Sequence, residues 1–138
     1  MSTGRSPAVD AELKKLKAVQ DELQALISSR AQFYQQANEN GMVKQELDLL
    51  EDDDKVFKLI GPVLMKQDLE ESKQNVAKRL ELIEREMSKV SKAIEEKQKE
   101  ETALGDQIMK LQGGMKERAV EEARRMMENA STAGKGKE

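Results

Sequence analysis

Val56-Phe57-Lys58-Leu59-Ile60-Gly61-Pro62-Val63-Leu64-Met65 is the stretch on which the fold turns. Two short runs rich in Val, Ile and Phe flank a Gly-Pro pair. The acidic run Glu51-Asp52-Asp53-Asp54 precedes them and Lys66-Gln67-Asp68 follows. Short β-branched and aromatic runs around a turn dipeptide predict a β-hairpin over residues 55–66. A buried helical segment is the alternative, and the Gly-Pro in its middle would break it.

On either side the apolar residues repeat at helical spacing. One series runs Val9, Leu16, Val19, Leu23, Leu26, Phe33, Ala37, Leu47, with polar residues at the intervening positions Glu12, Arg30, Asn40 and Lys44. The other runs Val76, Leu80, Ile83, Met87, Val90, Ile94, Leu104, Ile108, Leu111, Met115, interrupted by Lys97 and Glu101. Alternating steps of three and four are the a and d positions of a coiled-coil heptad. The expected organisation is one domain over residues 1–138. A first coiled-coil helix covers about 9–50, a second 69–128, and a disordered tail 129–138. Asn40-Gly41 can end a helix, but Lys44 and Leu47 keep the phase beyond it, so a continuous first helix is expected. A break there with one more short helix is the alternative.

Folding the second series back on the first gives facing layers whose residue numbers sum to 123 or 124. Leu47 meets Val76, Phe33 meets Val90, Leu26 meets Lys97, Val19 meets Leu104, Leu16 meets Ile108 and Val9 meets Met115. No layer is polar on both sides. From Val76 to Met115 such a helix rises about 58 Å. The fold class is therefore mainly α, a long antiparallel two-helix coiled coil with a central β-hairpin.

Composition agrees. Of 138 residues, 37% are charged and only 2% aromatic. Ala, Glu, Lys, Leu and Arg make up about half of the chain, as in long helices. With no Cys and no His, thiolate nucleophiles, imidazole bases and zinc fingers are excluded. No catalytic residue, cofactor or metal ligand is expected. The run at residues 51–54 could attract a divalent cation, but a solvated turn is the simpler reading. A net charge of −3 with interspersed signs argues against a nucleic-acid surface. No apolar window is long enough to cross a membrane, and no secretory signal is evident in the first twelve residues. An intracellular protein without catalysis is expected.

The hairpin carries Val56, Phe57, Leu59, Ile60, Val63, Leu64 and Met65, so apolar side chains point to both faces. A lone two-stranded hairpin is marginal in water, and two helices can cover at most one face. Several chains pooling hairpins into one shared sheet would bury both. A greasy loop packed on its own helices is the alternative. Beyond the second helix's last facing layer lies a further apolar stripe. Met109, Met115, Ala119, Val120, Ala123, Met126 and Met127 overhang the first arm, and methionine suits surfaces that accept varied apolar segments. They could hold clients, extend the seam or pack on a neighbour. Gly113-Gly114 would loosen the helix there.

The run from Glu39 to Leu50, the stretch Lys58-Leu59-Ile60-Gly61-Pro62-Val63-Leu64-Met65-Lys66 and the segment from Val76 to Glu81 resemble the beta class of prefoldin subunits. The resemblance spans about residues 9–120. Leu82 stands where that pattern suggests an aromatic, and the tail after Gln112 is less family-like. The resemblance implies a heterohexamer, with two alpha-class and three further beta-class subunits around this chain. It implies hairpins joined in an inter-subunit β-barrel and coiled coils hanging from it. It implies that unfolded actin- and tubulin-like clients are captured at the coiled-coil tips without ATP and delivered to the group II chaperonin. A cytoplasmic location, with a possible nuclear fraction, goes with it. The residues alone leave a structural coiled-coil adaptor, or a prefoldin-like assembly factor without unfolded clients, as the other readings.

Overall fold

The computed structural model describes residues 6–135. Two long helices flank an antiparallel hairpin in the order α1 (Pro7–Asp48), β1 (Val56–Ile60), β2 (Val63–Gln67) and α2 (Leu69–Lys135). Each helix begins at a side-chain cap. The Val9 amide donates to Ser6 Oγ at 3.2 Å, with Pro7 in the first turn where its missing N–H costs nothing. At α2, the Glu71 amide donates to Asp68 Oδ2 at 3.1 Å. Glu70 and Glu71 add negative charge in the first turn, where the helix dipole favours it. The last turn of α1 tightens, Leu49 and Leu50 donating to the carbonyls of Glu46 and Leu47, both at 3.2 Å.

α1 runs unbroken through Asn40-Gly41. Asn40 does not cap: its side-chain amide donates to the Gln36 carbonyl at 2.7 Å within the helix. α2 likewise continues through Gly113-Gly114 and on to Lys135. Residues 129–135, read from composition as tail, are therefore helical, while 136–138 lie outside the described residues. A helix already nucleated extends at little cost per residue, and the Thr132 hydroxyl donates to the Glu128 carbonyl at 2.8 Å.

Two compact units divide the chain. The first comprises Leu23–Glu96. Its core is the cluster of Leu47, Leu69 and Val76, with Leu50, Val56 and Leu80 packed against it. Leu47 and Val76, facing residues in the layer arithmetic, thus share one cluster. Ile83 and Ile94 are also buried. Leu23, Leu26, Arg30, Phe33, Ala37, Asn40, Met87 and Val90 are partly covered, and only Lys44 of this part of the seam is exposed. A long lysine stem can leave a seam and carry its amine to water.

The second unit holds residues 6–22 and 97–135. Val9 is 1% exposed, and Val19 and Ile108 are buried. Glu12, Leu16, Glu101, Leu104 and Leu111 are partly covered. Lys97, a polar seam residue, places Nζ 2.5 Å from Glu22 Oε2 and 3.3 Å from Glu100 Oε2. Glu22 lies one turn from Leu26, the residue set opposite Lys97 by the layer arithmetic. The Glu22 hydrogen bond, then that of Glu100, raises the Lys97 pKa above its ordinary 10.5. A raised lysine pKa means that the pair's contribution is complete below about 10.5 and is lost as pH climbs through the folded value.

The register has a direct test. Cysteines at Val19 and Leu104 should form a disulfide under mild oxidation within one chain. Cysteines at Val9 and Leu104 should not, being about eleven residues out of register, or roughly 16 Å along a helix. Efficient bridging of the second pair would discard the layer assignment.

Candidate assembly and client surfaces

The hairpin closes through two residues. Gly61 has φ of 58°, the left-handed region that an L side chain enters at a cost, and Pro62 fixes the next φ near −65°. Positive then negative φ rules out a type I′ turn and fits type II′, whose twist matches that of the strands. Cross-strand pairs run Ile60 with Val63, Leu59 with Leu64, Lys58 with Met65, Phe57 with Lys66 and Val56 with Gln67. Paired residues share a face. One face therefore presents Val56, Ile60, Val63 and Met65 with Lys58 and Gln67. The other presents Phe57, Leu59 and Leu64 with Lys66.

Apart from Val56, the apolar side chains of both faces are left open by the described residues. Phe57, Leu59, Ile60, Val63, Leu64 and Met65 are all exposed, Leu59 at 67% and Leu64 at 65%; only Val56 is partly buried, at the foot of the hairpin. The backbone is open as well. In a two-residue hairpin Ile60 and Val63 exchange both hydrogen bonds, and the pairs then alternate. Phe57 and Leu59 on β1, and Leu64 and Lys66 on β2, consequently turn their N–H and C=O groups outward. Such edges are templates for another strand. Beside β1 a groove of about 300 Å³ is lined by Val43, Leu47, Val56, Phe57, Val76 and Arg79.

The acidic run before β1 is a self-contained turn. The Glu51 amide donates to Asp54 Oδ2 at 2.7 Å and the Asp54 amide returns to the Glu51 carbonyl at 3.0 Å. Among the described residues no group of three or more His, Cys, Asp or Glu side chains could hold a metal ion. No described helix is long and apolar enough to cross a membrane.

In the second unit, every residue from 115 to 134 is exposed. Met109, Ala119, Val120, Ala123, Met126 and Met127 all stand in solvent, the last two at 73% and 75%, and Met115 is the least open at 36%. Arg124 pairs with Glu121 at 2.8 Å on the exposed surface. A strict continuation of the heptad past Met115 would select Arg118, Glu122, Arg125 and Asn129, all polar. Instead the apolar positions take successive four-residue steps from Leu111 to Ala123, a stutter that turns the stripe away from the seam phase.

One apolar surface falls outside the heptad reading. Ile27, Tyr34, Met42 and Leu49 are exposed on or just past α1. A search for a single stripe per helix passes over them. The low charge of residues 23–43, where only Arg30 and Glu39 are ionic, is the signal that could have found them.

Comparison with known proteins decides the lineage. A family model described as prefoldin subunit matches residues 10–115. The chain belongs to the prefoldin subunit family. Among relatives, it is 42% identical over 101 residues to a probable prefoldin subunit 6 of Caenorhabditis briggsae, covering 73% of this chain and 79% of that protein. It is 40% identical over 104 residues to a probable prefoldin subunit 6 of Drosophila melanogaster, covering 75% and 83%. It is 35% identical over 101 residues to prefoldin subunit 6 of Homo sapiens, covering 73% and 78%. The crystal structure of the prefoldin beta subunit from Thermococcus strain KS-1 shares the fold, with a TM-score of 0.72 at 20% identity over 79% of this chain and 96% of that one. The family consists of chaperone subunits that form oligomeric complexes with one another. The family match ends at Met115, where the fully exposed part of α2 begins.

Proposed function

We propose that this chain is a beta-class subunit of an ATP-independent heterohexameric co-chaperone. It joins two alpha-class and three further beta-class subunits through its hairpin, in a barrel shared between chains. It captures unfolded or nascent proteins of the actin and tubulin class on the exposed part of α2 and hands them to the cytosolic group II chaperonin. It has no catalytic role, cofactor or metal.

The observation that carries this reading is a hairpin apolar on both faces and unpaired at both edges, in a member of a subunit family. Burying roughly six such side chains would contribute up to about 9–18 kcal/mol, an upper bound because each is already partly covered. The Met-bearing segment of α2 offers the flexible, polarizable surface that varied clients need.

The complex purified through this chain should contain six subunits by native mass. It should suppress aggregation of denatured actin without nucleotide. A stable complex of fixed composition that leaves aggregation unchanged would instead identify a structural adaptor or an assembly-factor subunit.

A further inference from the structure

Lys58 and Lys66 are the only ionic residues of the hairpin, so residues 56–67 are purely cationic in a chain whose net charge is −3. The two lysines stand on opposite faces, Lys58 across from Met65 and Lys66 across from Phe57. Their surroundings differ. Lys66 lines a cleft with Asp52, Asp53, Asp54 and Asp68, where carboxylates are already at hand. Lys58 shares its face with Val56, which packs against the cluster of Leu47, Leu69 and Val76. It lines the groove beside β1, whose apolar walls come from Val43, Leu47, Val56 and Val76. The other ionic residue lining that groove is Arg79 of α2, a second cation.

Among the described residues no ion pair reaches Lys58 or Arg79. Arg85, Arg124 and Arg125 each pair with a glutamate one turn away on α2. The corresponding positions around Arg79 are Asn75, Val76, Leu82 and Ile83, so its own helix offers no carboxylate. Two unpaired cations on an apolar groove beside an open strand edge define what fits there. A strand added antiparallel to β1 exchanges hydrogen bonds with Phe57 and Leu59. Its residue opposite Lys58 then sits in a non-hydrogen-bonded pair, the closer kind, with Cα atoms about 4.5 Å apart. A carboxylate at that position stabilises the pair, and a like charge destabilises it. An ammonium enclosed there without an anion is strongly disfavoured. A second copy of this chain does not supply the anion. Two β1 strands in full antiparallel overlap set Phe57 against Leu59 and Lys58 against Lys58. A second copy's β2, in the register that β2 keeps with β1, sets Met65 against Lys58.

We infer that the groove beside β1 receives an acidic strand of a different prefoldin subunit, with an Asp or Glu opposite Lys58 on the side of the sheet where Arg79 stands. This charge selects a heteromeric neighbour over a second copy of the chain. The inference rests on the reading that the hairpin joins the subunits. Lys58 and Arg79 are both exposed, so Lys58→Glu and Arg79→Glu should each keep the far-UV circular dichroism of the chain. In competition with the parent for its partner subunits, Lys58→Glu should enter the complex at least about 10-fold less well. Arg79→Glu should act in the same direction, and Lys58→Arg should compete as the parent does. In the native complex a carbodiimide, which couples a carboxylate to an amine without a spacer, should join Lys58 to an Asp or Glu of another kind of subunit. Changing that residue to Lys should restore the entry of Lys58→Glu. Failure of Lys58 to couple to any other kind of subunit overturns the inference, coupling to a second copy alone included. So does parent-level entry of Lys58→Glu. Phe57→Asp in the same competition separates the two readings. If it enters at the parent level, the hairpin reading fails. If it is excluded while Lys58→Glu enters normally, only the acidic neighbour fails.

Discussion

A Phe57→Asp chain, co-expressed with its partner subunits, should be missing from the assembled complex on size exclusion while keeping its helical circular dichroism. Phe57 is about half exposed in the isolated chain, so the substitution costs the single chain little. The cost falls on assembly. The apolar area still to be buried is lost, about 1 kcal/mol or more, and a carboxylate entering a closed sheet without a partner adds several kcal/mol. At 1.4 kcal/mol per factor of ten, assembly should weaken by at least about 100-fold. Lys66 lies opposite Phe57 on the same face and could pair with the new carboxylate, softening the effect. Leu59→Asp removes that escape, because its cross-strand partner is Leu64, and should be excluded at least as completely. Normal incorporation of both variants would show that the hairpin does not join the subunits.

The hairpin and the helices were legible because each rests on local chemistry. Gly61-Pro62 allows a tight reversal and little else, and the observed φ of Gly61 is the conformation that the glycine was needed for. The seam was legible because burial follows the heptad, from Val9 in one unit to Leu47 and Val76 in the other. Helix ends were less so. Asn40-Gly41, Gly113-Gly114 and residues 129–135 all carry breaking or weakly helical composition, yet each lies inside a long helix. Propensity costs of about 1 kcal/mol per glycine do not outweigh propagation from a formed helix. The exposed face of Ile27, Tyr34 and Met42 was illegible to a search for one stripe, since its residues fill the gaps between seam positions. Heptad periodicity marks the face that a helix turns to its coiled-coil partner, and a second apolar face on the same helix lies outside that pattern.

The segment of α2 after Met115 is where capture should be tested. Val9 is essentially inaccessible, so the covered part of the second unit already includes the first turns of α1. Residues 116–134 are all exposed, and every buried side chain among the described residues lies before position 116. The truncated chain should therefore assemble as the parent does. What it loses is an apolar stripe with Val120, Met126 and Met127 at two-thirds to three-quarters exposure, more apolar surface than a monomeric helix leaves in water without use. A finer variant replaces Val120, Met126 and Met127 with Gln. Gln matches Met in helix propensity and improves on Val, so helix, length and charge are preserved while apolar character goes. In complexes carrying either variant, several-fold more complex should be needed to suppress aggregation of a denatured client to the same extent. The other subunits act at the same time, and avidity limits the loss from any one surface. Sub-stoichiometric complex is accordingly the informative condition, because there each surface left unused is felt. If variant and parent complexes suppress aggregation equally under that condition, client holding lies elsewhere, on other subunits or on the helix faces between them.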